Sequence, residues 1–229
     1  MKFIVEYSIE RDMYNYLNAI WRMKYTSFGR DDLREKLLSS KPEQFQEDIK
    51  KAKTEEEAKK VIVSYLESRL KTKKPEIDKN IRDIQKVIDD NKDVIIKTLE
   101  SVFNKDFSFD EVFVYLTTAG ICPLNFEKRW FMVYDNANDE TVVRVATHEL
   151  NHFMFFYYYT EKLKTRMDIH RFKVLKEALV ILTNPEGNRG GKPETIELEG
   201  YLKTVQGRPM DEIIELAIKS EAFKKLQSE

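Results

Sequence analysis

Two histidines stand four residues apart in His148-Glu149-Leu150-Asn151-His152, with a glutamate directly after the first. On a helix that spacing points both imidazoles to one side, about one turn apart. Two nitrogens so placed can share one Zn²⁺ at roughly 2.0–2.1 Å each. Glu149 is rotated off the ligand direction, so its carboxylate is free to face a water held at the metal and to act on its proton. The chain has only three histidines in 229 residues. With glutamate at about a tenth of positions, chance supplies roughly 0.004 such matches in a chain of this composition.

The elements around the motif suit that chemistry. Val112–Thr117 is rich in β-branched and aromatic residues and reads as a strand, and Arg129–Tyr134 reads as a second. Gly120 and Pro123 mark a turn between them, and Asp135–Asp139 is a loop full of helix-capping side chains. A helix is then expected from about Asp139 to Thr160, carrying the motif mid-length. Val142, Val143, Val145, Ala146, Leu150, Phe153 and Met154 make its other faces apolar. A polar cluster inside a buried helix needs partners, and a metal is one. Another helix is expected over Asp168–Thr183, a loop over Asn184–Gly191, and a last helix from near Pro209 that carries Ile213, Ile214, Leu216, Ala217, Phe223 and Leu226.

Upstream, Lys2–Ser8 reads as a short strand, and Asp12 as the cap of a helix bearing Tyr16, Leu17, Ile20 and Trp21, interrupted at Ser27-Phe28-Gly29. From Asp31 to about Phe103 the pattern is helical and highly charged. Thr54 and Glu57 form a capping box ahead of Ala58, Val61, Ile62, Tyr65, Leu66 and Arg69. Pro75 is expected to end that helix and open the next. The next carries Ile77, Ile81, Ile84, Ile88, Ile95, Leu99 and Val102, with a kink near Asp89-Asp90-Asn91.

From Val112 to the loop after Thr183, about 80 residues, the chain resembles the zincin metallopeptidases. The resemblance implies an α+β fold, mostly helical with a small mixed β-sheet. Apart from the resemblance, a helical N-terminal region over 1–106 is expected to pack on a catalytic region over 107–229, its charged helical part serving as a partner-binding module or a prodomain-like cover. The resemblance implies His148 and His152 as zinc ligands and Glu149 as general base. The metzincin subclass needs Gly and His where this sequence has Phe155 and Tyr158, and so does not apply. The gluzincin subclass takes a Glu from a following helix, and Glu177 fits. It is the only acidic residue between Arg171 and Asn184, and it lies among Val174, Leu175, Ala178 and Ile181. The Asp usual four residues later is replaced by Ile181, which removes the common partner of a ligand histidine. His170 is an alternative ligand, and Glu194, Glu197 and Glu199 are weaker ones. Zincins often add an oxyanion donor, for which Tyr157, Tyr201 and His170 stand open. The expected activity is peptide hydrolysis with Zn²⁺ as cofactor and a peptide or protein as substrate, an extended peptide adding as a strand to Arg129–Tyr134.

Charge narrows the partners. With 39 basic and 40 acidic side chains the net charge is −1, which gives no field to attract nucleic acid or an anionic membrane. Lys162, Lys164, Arg166, Arg171, Lys173 and Lys176 cluster in sequence and read as a solvated helix face. Cys122 is the single cysteine, so no internal disulfide forms, and it reads as a small turn residue. Met1–Glu6 lacks a signal-peptide core, and the apolar run Phe153–Tyr159 is too short to cross a bilayer. A soluble cytoplasmic protein is expected. Three other classes stay open: a non-catalytic binding or regulatory protein on a zincin scaffold, a metal-dependent hydrolase of a non-peptide amide, and a helical interaction protein whose motif is accidental.

Overall fold

The structure is a computed structural model that describes residues 1–22, 33–186 and 192–226. It is α+β, mostly helical with one mixed four-stranded sheet. The expected interruption at Ser27–Gly29 and the glycine end of the 184–191 loop lie outside the described residues. Among the described residues no helix is long and apolar enough to cross a membrane.

The chain divides into two compact units. The first takes Met1–Asp89 and Asp110–Val142, and the second takes Asp90–Phe109 and Val143–Glu229. The first unit holds the sheet. Strands β1 (Lys2–Glu6), β2 (Glu111–Thr117) and β4 (Trp130–Tyr134) run parallel, and the short β3 (Leu124–Asn125) pairs antiparallel with β4, in the order β1-β2-β4-β3. Phe3 and Val5 face Val112 and Val114 across the ladder, and all four are buried. Trp130 to Val133 are buried at every position, as expected of an interior parallel strand covered on both faces. Because β3 covers Trp130 and Phe131, that part of β4 is not a free edge to which a peptide could add. The outer edge of β1 is met by a side chain instead: Gln85 accepts from the Val5 N–H at 3.0 Å and donates to the Phe3 carbonyl at 3.2 Å. An amide placed this way pairs an exposed strand edge without adding a strand.

Helix α1 (Ile9–Leu17) continues into a π-helical turn, Asn18–Arg22. Its cap is Ser8, whose Oγ accepts from the Arg11 N–H, and not Asp12. Asp12 lies one turn further in and is buried, accepting from the Thr117 hydroxyl at 2.7 Å and from the Thr118 N–H and hydroxyl. It therefore ties α1 to the carboxyl end of β2. Burial raises its pKa against the pull of those hydrogen bonds. Helices α2 (Leu33–Ser39) and α3 (Glu43–Lys51) follow, and Leu37, Leu38, Phe45 and Ile49 join Tyr16, Leu17, Ile62 and Leu66 in one apolar cluster.

Helix α4 (Glu55–Phe103) corrects the expectation at Pro75: one 49-residue helix runs through the proline. The buried stripe explains it. Ala58, Ile62, Leu66, Ile77, Ile84, Ile88, Ile95, Leu99 and Phe103 recur at steps of four, seven or eleven residues, and the eleven-residue step from Leu66 to Ile77 is just over three whole turns. Core burial along that stripe outweighs the backbone bond the proline removes. Thr54 caps the helix by accepting from the Glu57 N–H, while Glu57 reaches back to the Lys53 N–H. Asn104, with φ of 49°, ends it in the left-handed conformation common after helices.

The second unit is helical: the last turns of α4, then α5 (Asp139–Leu163), α6 (Ile169–Ala178) with a 3-10 turn (Leu179–Leu182), α7 (Pro193–Thr204), α8 (Met210–Lys219) and α9 (Glu221–Lys224). Phe103, Phe109, Phe153, Phe155 and Tyr159 build its aromatic core, with Phe109 edge-on to Phe153 at 5.5 Å and Phe155 against Phe172 at 5.2 Å. The expected last helix is two, because Ser220 breaks it: its hydroxyl donates to the Ala217 carbonyl and accepts from the Phe223 N–H. Helix α7 was not expected from the sequence. It packs on α6 and buries Thr195, Leu198, Glu199 and Leu202.

Candidate metal centre

All the convergent side chains belong to the second unit. Helix α5 carries His148 and His152 on one face, and their rings stand 4.6 Å apart, nearly perpendicular. Helix α6 starts at Asp168, whose carboxylate accepts from the Arg171 N–H at 2.9 Å, and carries Glu177 nine residues later. Packing of Phe172 against Phe155 and Phe156 sets α6 on α5. Beyond Glu177, Asn151 of the motif donates to the Thr183 hydroxyl at 2.8 Å, and Thr183 donates to the Val180 carbonyl. This buried link fastens the end of α6 to the motif helix.

The result is a three-atom cluster. Glu177 Oε2 lies 3.5 Å from His148 Nε2 and 3.4 Å from His152 Nε2. One ligand atom from each residue falls within 4.8 Å of the other two. These separations are long for N–H···O hydrogen bonds, whose usual range is about 2.7–3.2 Å. They match the edge of a tetrahedron: two atoms each about 2.05 Å from one Zn²⁺ sit about 3.3–3.4 Å apart. The donor set of two imidazoles and one carboxylate also suits that ion. The residues therefore fit a zinc site.

Electrostatics divide the two histidines. His152 is 2% exposed, and burial followed by the Lys176 charge pushes its pKa down to about 3, so the ring is neutral at pH 7. Neutral imidazole is the form that binds a metal. His148 is 20% exposed; burial pulls its pKa down, but the nearby Glu177 carboxylate and the charge of Glu149 outweigh it and leave it raised. Burial pulls the Glu177 carboxyl up, yet His152, Lys176 and His148 together hold it well below the usual carboxylate range. Glu149 is 7% exposed, and burial pushes it up to about 7. Its carboxyl makes no hydrogen bond or ion pair with any described residue. A carboxyl that titrates near neutrality beside a candidate metal site is suited to take and return a proton.

The sequence candidates separate. His148, His152 and Glu177 come together, while His170, Glu194, Glu197 and Glu199 are outside the cluster. Glu197 is paired with Lys225 at 2.9 Å, Glu194 lies 3.7 Å from Lys192, and Glu199 is buried in α7. Tyr157 is half-exposed and packs edge-on to Phe109 at 5.4 Å; Tyr201 and His170 are half-buried on α7 and α6. With Ile181 in place of an acid, His152 Nδ1 is buried with no hydrogen-bond acceptor among the described residues. Lys176 is the residue that sequence reasoning misplaced. Other members of its basic cluster do pair on the surface, Lys162 with Asp211 and Arg166 with Glu215. Lys176 instead turns inward to Glu177 Oε1 at 2.6 Å. Its position was readable: it lies four residues after Phe172 and four before Val180, both buried.

No family profile, curated protein or solved structure matches this chain.

Proposed function

We propose that the protein is a zinc-dependent metallopeptidase of the gluzincin type on a zincin-like fold, with His148, His152 and Glu177 as ligands and Glu149 as general base. The observation that carries this reading is the pair of separations, 3.5 and 3.4 Å, from one Glu177 oxygen to two Nε2 atoms on adjacent turns. The unpartnered, buried Glu149 next to His148 is its second support.

A bound zinc ion would supply Lewis acidity and a water acidified toward neutrality. The chain supplies the rest. The α5 face presents two neutral-capable imidazoles at fixed spacing, and the Asn151–Thr183 link holds the α6 carboxylate opposite them. Glu149 takes a proton onto its carboxylate and delivers it to the departing amine of a cleaved peptide bond. Its raised pKa suits both halves of that exchange at neutral pH.

The test pairs metal content with turnover. Purified protein is loaded with Zn²⁺, measured by elemental analysis, and assayed against a mixed peptide library. Glu149→Gln is expected to keep one zinc per chain and lose hydrolysis by at least about a hundredfold. Turnover retained in Glu149→Gln rejects the general-base role. Full zinc content with no hydrolysis by the wild type favours a binding or regulatory protein.

A further inference from the structure

Lys176 is a largely buried cation at the cluster that the proposed chemistry does not use. Its side chain is 12% exposed, whereas Lys73 and Lys79 on α4 are 59% and 66% exposed. Burying an ammonium is costly unless it is paired, and a lysine on a helix rim could readily turn to solvent. Two contacts hold it inward. Nζ lies 2.6 Å from Glu177 Oε1, and it stands 5.7 Å over the ring of Phe156. Phe156 is four residues beyond His152, so α5 presents His148, His152 and Phe156 on one stripe. The α6 pair Lys176-Glu177 lies against that stripe.

The two oxygens of Glu177 are thereby given different partners. Oε1 is held by the ammonium, and Oε2 faces the two Nε2 atoms. The difference matters chemically. A carboxylate free to rotate can bind a metal through both oxygens and fill two coordination positions. A carboxylate with one oxygen engaged binds through the other alone and leaves a position open for substrate or water, as a catalytic site needs.

Resting on the metal-site reading above, we propose that Lys176 is a positioning residue: by holding Glu177 Oε1 beside the Phe156 ring, it makes Glu177 a one-oxygen ligand and keeps a coordination position open.

The test reads coordination and not turnover. Co²⁺ is titrated into the full chain and into Lys176→Met and Lys176→Arg, with folding checked by circular dichroism. The wild type is expected to show the intense visible bands of four-coordinate cobalt. Lys176→Met is expected to lose band intensity several-fold, as in five- or six-coordinate cobalt, or to lose cobalt while folded. Lys176→Arg, which keeps a cation, recovers the bands. Undiminished bands in Lys176→Met overturn the proposal and leave the metal site standing. Should Lys176→Met fail to fold, X-ray absorption on the zinc-loaded wild type decides: a one-oxygen carboxylate shell supports the assignment, and a two-oxygen shell overturns it. Absence of Co²⁺ and Zn²⁺ binding by the wild type rejects the metal-site reading itself, and this assignment with it.

Discussion

Replacing Glu149 with Gln should make the metal-free protein more stable, by an amount that depends on pH. The folded carboxyl titrates at about 7 against an ordinary value of 4.5. Below about pH 4.5 both folded and unfolded chains carry the proton, and burial exacts no charge penalty. Between about 4.5 and 7 the unfolded chain releases a proton that the folded chain keeps, so stability falls as pH rises. A span of roughly 2.5 pH units at about 1.4 kcal/mol each gives about 3 kcal/mol lost by pH 8. Glu149→Gln has no such loss. The stability difference, variant minus wild type, is therefore expected to grow by about 3 kcal/mol between pH 4 and 8. Taking that difference cancels the opposite trend from His152, whose lowered pKa stabilises the fold as pH rises from about 3 through 6.5. The assay is urea denaturation followed by circular dichroism with a chelator present. A difference that stays constant within about 1 kcal/mol across the range would refute the burial argument for Glu149. The physical content is a trade: burial that holds a carboxyl near neutrality also weakens the fold that holds it.

Four further outcomes are expected. Glu177→Ala should lower zinc content sharply in equilibrium dialysis while circular dichroism stays native; unchanged zinc content rejects Glu177 as a ligand. Thr183→Val, nearly isosteric, leaves the buried Asn151 amide without its acceptor and should cost about 1–3 kcal/mol of stability, with zinc affinity weakened in parallel. Pro75→Ala should raise stability by about 1–3 kcal/mol because α4 is continuous there; no change would mean that a helix starts at Pro75, where proline costs little. Arg69→Met should cost about 3 kcal/mol in denaturant unfolding, since Asp135, which Arg69 pairs, is left buried with its carboxyl already raised by burial.

Local features carry much of this protein in its sequence. The four-residue spacing of His148 and His152 on an apolar helix determines that both rings share a face, because helical periodicity acts within a single element. Strands β2 and β4, the Thr54 cap and the Asp168 cap are likewise written in nearby residues. Even the continuity of α4 was legible in the unbroken phase from Leu66 to Ile77, although Pro75 argued for a break.

Tertiary structure decided what depends on partners distant in the chain. Asp12 has the residue type of a helix cap, and only the approach of Thr117 and Thr118, 105 and 106 residues on, made it a buried tie. Parallel pairing of β1 with β2 joins strands more than a hundred residues apart, and no local pattern states that register. Glu177 was singled out by its lone acidity among apolar neighbours, but which of its oxygens faces the imidazoles was set by Lys176, a residue that reads as surface charge. Helical phase and capping are short-range energies, readable residue by residue. The direction a buried lysine takes is a balance of desolvation, ion pairing and ring contact, and its terms exist only once α5 and α6 have packed.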